Sequence, residues 1–239
     1  MSKIIKFWPA TSSEKALPPV PARTVMPKWY KDITLYNKSN SPADANVINT
    51  NQGVDGSALS VKTCGPFYDA MTAGYHYVLP EDVEVVLNDK GIPSITWESD
   101  NFFINRLPNV EFPIPPFYHP IAFSYRMIYG VELPSGSSLL VTQPMNRSDL
   151  PFWIPSGIVD ADTKFAPIDI RMFIKRGFEG IVPKGTPIMQ VIPFTRESWK
   201  MEVDLNQDKI EERLWLHEKR RTYIQGWYHK HAQVKKEFD

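Results

Sequence analysis

Apolar and polar positions alternate most cleanly at residues 168–176, IDIRMFIKR. That two-residue period is the pattern of a strand with one buried face. VEVVLN (83–88) and IPSITWES (92–99) flank NDKG (88–91), where Gly91 supplies a turn residue, and together they predict a hairpin near 83–98. YHYVLP (75–80), IAFSYRMIYGVELP (121–134) and SSLLVTQP (137–144) are further strand-like runs. GIVPKGTPIMQVIPF (180–194) reads as strand, tight turn at Lys184-Gly185, and strand. The period changes once. Residues 206–228 hold few breakers and many helix formers, with Asn206 or Asp208 placed to cap. Glu211 and Glu212 fall early and Lys219, Arg220 and Arg221 late, which suits the helix dipole.

Between these runs lie three irregular stretches. Residues 8–30 form a proline-rich arm, with Pro18, Pro19 and Pro21 favouring an extended conformation and Trp8, Trp29 and Tyr30 bracketing it. The reading preferred here packs those aromatics on their own domain. The polar stretch 37–58 reads as a loop, with a short strand at NVINT (46–50). Residues 101–120 combine Phe102, Phe103, Phe112, Phe117 and Tyr118 with several prolines, the composition of a stiff aromatic loop. The expected organisation is therefore an arm and polar loop at 1–58, a β core at 59–195 with an insertion at 101–120, and a helix and tail at 196–239.

The 27 basic and 27 acidic residues cancel, so no bulk field draws the chain to nucleic acid or membrane. Cys64 is the only cysteine and cannot form an intrachain disulfide. The start has no apolar run of signal-peptide length, and no window approaches the roughly 20 apolar residues of a membrane span. The expectation is a soluble chain with no membrane partner.

SGIVDADTKF (156–165) places Asp160 and Asp162 two apart, a spacing that suits Mg²⁺ or the activation of a water, and equally the closing of a turn. The HKH at 229–231 lacks further ligands nearby and reads as a solvated tail. Tyr223, Trp227 and Tyr228 lie among cations, a mixture that can stack on bases. Without a net basic domain, a solvated helix with an aromatic anchor is the preferred reading, and nucleic acid is not an expected partner. No HExxH, CxxC pair, GxSxG or Walker-type phosphate loop is present.

Three ordered stretches then carry a resemblance. They are Asn146-Arg147-Ser148-Asp149-Leu150, Gly157-Ile158-Val159-Asp160-Ala161-Asp162 and Gly185-Thr186-Pro187-Ile188-Met189-Gln190, with TAGYHYVLP upstream at 72–80. In order and spacing they resemble the core of the dUTPase and dCTP-deaminase superfamily. The resemblance covers about half of the chain. It implies a mainly β fold with a dUTPase-like β-clip core, to which the residue pattern adds the extended N-terminal arm and the C-terminal α-helix. It also implies a homotrimer with nucleotide sites at subunit interfaces. By the same resemblance Asp160 is the candidate water-activating acid. Arg147, Ser148 and Gln190 are candidate phosphate-binding residues, and Asp160 with Asp162 a candidate Mg²⁺ pair. The chain departs from the family at Thr163, where a sugar-packing tyrosine is expected, and at His76, where the first motif has an aspartate. It also lacks the glycine-rich C-terminal arm that closes over the base.

A second resemblance spans nearly the whole chain. IIKFWPA (4–10), MPKWYK (26–31), NRSDLPFWIPSGIVD (146–160) and FEGIVPKGTPIMQVIPFTRESWK (178–200) are similar to a family of uncharacterised bacteriophage proteins. It implies expression in a bacterial host cytoplasm, or a place in the virion. The leading expectation is a non-catalytic phage protein acting in assembly or as a virion component, with other phage proteins as partners. The alternatives are a nucleotide-binding or sequestering protein, and a divergent Mg²⁺-dependent nucleotide hydrolase of the nucleoside-triphosphate diphosphohydrolase kind.

Overall fold

The computed structural model describes residues 3–10, 17–37, 58–100, 103–108, 113–163, 169–222, 231–234 and 236–239. The expected strand at NVINT, Phe102, Phe112, Phe165 and the aromatic tail residues 223–230 lie outside them. In chain order the strands begin with β1 (Lys6–Pro9), β2 (Val20–Pro21), β3 (Tyr36–Asn37), β4 (Ala58–Leu59), β5 (Tyr75–Val78), β6 (Val83–Leu87), β7 (Pro93–Thr96) and β8 (Ile104–Arg106). They continue as β9 (Tyr118–Arg126), β10 (Tyr129–Glu132), β11 (Ser137–Thr142), β12 (Phe152–Trp153), β13 (Gly157–Val159), β14 (Asp169–Lys175), β15 (Gly180–Val182) and β16 (Pro187–Thr195). Three α-helices join them: α1 (Lys28–Asp32), α2 (Gly65–Thr72) and α3 (Gln207–Thr222). Every strand pairing is antiparallel. The fold is thus mainly β, as the resemblance implies, with the C-terminal helix that the residue pattern predicts.

The chain divides into two compact units. The first holds Met1–Val25, Met71–Arg196 and Phe238–Asp239. Its largest sheet has the order β13-β11-β16-β5-β2, beside a four-stranded sheet β12-β14-β9-β8 and a three-stranded sheet β15-β6-β7. Leu139, Val141, Val191, Phe123, Tyr125, Met172, Val83 and Val85 converge in one buried cluster drawn from all three sheets. The alternation that predicted β14 is borne out: Ile170, Met172 and Ile174 are buried while Asp169, Arg171 and Lys175 are exposed. The hairpin at 83–98 forms as β6 and β7, with Gly91 N donating to the Asn88 carbonyl at 2.7 Å. At Lys184-Gly185 the chain turns from one sheet to another, since β15 pairs with β6 and β16 with β11 and β5.

Two expectations change. The stretch 101–120 is not loop throughout. It contains β8 and the start of β9, because Phe103 and Ile104 are core residues, with Phe103 ringed by Trp97 at 5.0 Å and Tyr125 at 6.2 Å. The N-terminal 25 residues also belong with the core. β1 pairs with β10 and lays Trp8 against Gly130, where a Cβ would come within 2.3 Å of the indole, and β2 pairs with β5.

The second unit holds Met26–Ala70 and Glu197–Glu237. Trp29, Tyr30, Phe67 and Tyr68 form its aromatic cluster, with the Tyr30 and Phe67 rings stacked at 6.2 Å. The Ser60 hydroxyl donates to the Thr34 carbonyl at 2.6 Å and accepts from Lys62 N at 3.2 Å, capping a 3-10 turn at Val61–Thr63. α3 starts one residue after Asn206, whose carbonyl accepts from Ile210 N at 3.2 Å. Among the described residues no helix is long and apolar enough to cross a membrane.

Candidate functional site

The sequence-predicted site residues all border the outer face of the β13-β11-β16-β5-β2 sheet. Residues alternate across a strand, so Leu139, Val141 and Val191 face the core and their neighbours Ser138, Leu140, Thr142, Gln190 and Ile192 face out. Register then sets the rows. Ser138 stands opposite Phe194, Leu140 between Ile158 and Ile192, and Thr142 opposite Gln190, which in turn pairs with His76.

At the first end Asp160 follows β13. Its Oδ1 accepts from Ser138 Oγ at 2.6 Å and meets Arg196 Nη1 at 3.0 Å. Asp162 Oδ2 accepts from Gly136 N at 3.0 Å and from Arg196 Nη2, and its Oδ1 accepts from Arg196 Nη1 at 3.2 Å. Arg196 is held in turn by its own backbone N–H on the Gly136 carbonyl at 2.8 Å. The hydrogen bond from Ser138 and the guanidinium lower the Asp160 pKa; the guanidinium and the Gly136 N–H lower that of Asp162. Both carboxylates are therefore ionised, and a cation of the protein's own already bridges them. The Arg196 guanidinium stands where Mg²⁺ would sit, so the pair does not fit the metal. Among the described residues no group of three His, Cys, Asp or Glu side chains could hold one.

At the other end lies the turn Met145–Leu150, in which Asn146 takes a left-handed φ of 59°. Arg147 donates to Asp149 through Nε at 2.9 Å and Nη2 at 2.9 Å, and through Nη1 to the Val25 carbonyl at 3.3 Å. Its side chain is only 9% exposed, and the edge expected to meet phosphate is filled by Asp149. Ser148 is exposed on the same turn. Gln190 is 0% exposed, and both ends of its amide are used: Oε1 accepts from Met145 N at 2.8 Å and Nε2 donates to the Ala73 carbonyl at 2.7 Å. The phosphate role expected of Gln190 is corrected accordingly. It ties two loops to β16 through their backbone, the use that internal hydrogen bonding demands of a buried amide. His76 is 2% exposed, and among the described residues neither ring nitrogen meets a partner within hydrogen-bond geometry. Burial lowers its pKa to about 4, the Arg147 charge acts the same way, and the Gln190 side chain opposes them.

Within one chain Arg147 and Asp160 do not converge. They flank the Thr142 and Ser138 ends of β11, four residues apart and hence about 13 Å along the strand. A cavity of about 10 Å³ lies in the core against Val85, Phe152, Ile174 and Ile188. It has room for no more than a single water and no polar group to hold one.

Solved structures similar to the chain include two of one phage enzyme. One is a mutant dUTPase of Staphylococcus bacteriophage 80alpha with dUpNHpp, 12% identical with a TM-score of 0.35, the match covering 85% of this chain and 89% of that one. The other is a different mutant of the same dUTPase with dUpNHpp, also 12% identical at a TM-score of 0.35, covering 88% and 93%. No protein-family model and no curated protein matches the sequence.

Sequence reasoning missed Arg196, Ser138 and the pairing role of Asp149. Arg196 lies 34 residues beyond Asp162, just past the end of β16, and only the sheet register brings them together. Asp149 was legible in principle, two residues after Arg147 in a turn.

Proposed function

We propose that this chain is a non-catalytic β protein that acts through assembly, as a homotrimer and with other phage proteins, in the bacterial host or in the virion. The observation that supports this reading is Arg196. It neutralises the two carboxylates that a nucleotide hydrolase would need for its water and metal, while Asp149 does the same to Arg147. The groups that could run the chemistry are spent on one another. The sheet surface beside them carries apolar side chains: Ile158 is 68% exposed in line with Leu140 and Ile192, and Phe194, opposite Ser138, is 38% exposed. Apolar rows in solvent on a sheet face mark contact surfaces.

The test is a panel of nucleoside triphosphates with Mg²⁺. No phosphate or pyrophosphate release above the blank is expected, and Asp160→Asn changes nothing. Turnover that Asp160→Asn abolishes would overturn the reading in favour of a hydrolase. A thermal-stability gain with one nucleotide, about 2.7 kcal/mol at a hundred times Kd and lost in Arg147→Ala, would favour a nucleotide-binding protein instead. Mass spectrometry of purified particles separates a virion component from an assembly factor that is left behind.

A further inference from the structure

β14 turns Ile170, Met172 and Ile174 to the core, so Asp169, Arg171, Phe173 and Lys175 point the other way. Asp169 stands opposite Arg126 on β9, and the two pair at 3.2 Å. Phe173 is buried on this side too, with the Trp153 ring 5.6 Å away and the Tyr118 ring 6.1 Å beyond that. Arg171 and Lys175 remain, both exposed and about 13 Å apart along the strand. Among the described residues neither has a carboxylate partner. The one carboxylate in their row is already taken by Arg126.

Arg176 follows at the end of the strand. Its backbone N–H donates to the Phe117 carbonyl at 2.9 Å and its Nε to the Pro116 carbonyl at 3.0 Å. No carboxylate among the described residues meets its guanidinium. It holds the turn at 115–118, which Tyr118 N closes on the Pro115 carbonyl at 3.0 Å. At the tip of that turn Phe117 is 73% exposed. Two prolines and three hydrogen bonds therefore fix a large ring in solvent, and a ring so fixed loses little freedom when a partner covers it. His119 feels the same cations. Burial first, then the Arg176 and Arg106 charges, lower its pKa, and its Nδ1 accepts from Ile121 N at 3.2 Å as a neutral ring can.

We infer that the surface of Arg171, Lys175, Arg176 and Phe117 binds single-stranded nucleic acid. The three cations take phosphates, and the Phe117 ring takes the face of a base. The chain's charges cancel as a whole, but a binding face is set by the charges on it, and here the cations are unopposed. Cations along a strand with an exposed ring at one end combine charge with a stacking platform, the pairing that single strands use. A duplex keeps its bases stacked inside and has no free face for the ring. An acidic polypeptide offers charge but no base to stack. The surface does not depend on the assembly reading, and it lies on a different sheet from the strands that carry Ser138 and Asp160.

The experiment uses the full chain and a labelled oligodeoxythymidine of about 16 nucleotides, the upper site size for one small domain. Binding is read by fluorescence anisotropy in a salt series from about 50 to 200 mM. Saturable binding is expected, with log K falling against log salt at a slope of about −2, three phosphates at about −0.7 each. Arg171→Gln/Lys175→Gln removes two of the three charges, and its slope is expected near about −0.7, with the affinity at low salt down by about tenfold or more. Phe117→Ala is expected to bind about tenfold more weakly at an unchanged slope, the loss of one stacked base. Near-ultraviolet circular dichroism is expected to match the wild type in both variants, since the three side chains are exposed. No anisotropy change at about 50 mM salt overturns the inference. So does a double variant or a Phe117→Ala chain that binds as the wild type does. A duplex of equal length that binds as tightly, or polyglutamate that displaces the oligonucleotide, overturns it as well. None of those outcomes bears on nucleotide turnover or on mass, so the non-catalytic assembly reading stands or falls separately.

Discussion

The outer face of the five-stranded sheet is finished in opposite ways at its two ends. At the Thr142 end the side chains are polar and buried: Gln190 at 0%, His76 at 2% and Thr142 at 8% exposed. Toward the Ser138 end, beside the buried Ser138 and its Asp160 and Arg196 partners, apolar side chains lie open, with Ile158 at 68% and Phe194 at 38% exposed. Polarity and burial are inverted relative to the usual partition, and each inversion has its own cause. A buried amide is stable when both its ends are matched, as those of Gln190 are by Met145 N and the Ala73 carbonyl. An exposed isoleucine on a free edge is stable in no such way, and gains only from a neighbour. One end is finished by the chain's own hydrogen bonds, and the other leaves apolar side chains in solvent.

The comparison breaks most visibly at Gln190. Gln190→Leu keeps the volume but leaves a buried N–H and a buried carbonyl unpaired, each worth about 1–3 kcal/mol. A loss of about 3 kcal/mol in denaturant unfolding is expected. A loss of a few tenths would show that the turn at Met145 is not pinned by this amide.

His76 gives the next largest effect, and a pH dependence. Its folded pKa of about 4 lies below the ordinary 6.5. The folded chain keeps the imidazole neutral where the unfolded chain already takes up a proton. Stability from this group is therefore fully present above pH 6.5 and falls as the pH drops from 6.5 to about 4. The fall amounts to roughly 3 kcal/mol at about 1.36 kcal/mol per pKa unit. His76→Leu removes the titrating group and its two buried ring nitrogens. The variant is expected to lose less stability than the wild type between those pH values, by nearly one proton's worth of slope. Parallel stability curves would contradict the burial of an unpaired ring.

How far these features were readable from sequence follows from the range over which each is encoded. Strands β6, β7, β14 and β16 were legible because period-two alternation is local. β8 was not, since Phe103 and Ile104 sat in a stretch whose prolines argued for loop, and the aromatic contacts that bury Phe103 come from Trp97 and Tyr125 on other elements. α2 was missed because Gly65-Pro66 reads as a breaker, although proline is well tolerated in a first helical turn. The candidate site was legible as a set of residues but not as an arrangement. Motif order placed Arg147, Asp160 and Gln190 on the list, and only register showed that two of them are spent on partners and the third is buried.

The smallest expected effect concerns Arg196, and it sharpens the exposed end. Asp160 and Asp162 stand two residues apart, and their charges are tolerated together because one guanidinium meets both. Arg196→Gln leaves them facing each other across water. Exposed ion pairs contribute little and are screened by salt. The variant is therefore expected to melt slightly below the wild type at low ionic strength and together with it at about 1 M salt, where the Debye length is roughly 3 Å. A deficit that persists in high salt would mean that Arg196 acts through its bonds to the Ser137 carbonyl and Ser138 hydroxyl, both at 3.3 Å, more than through charge.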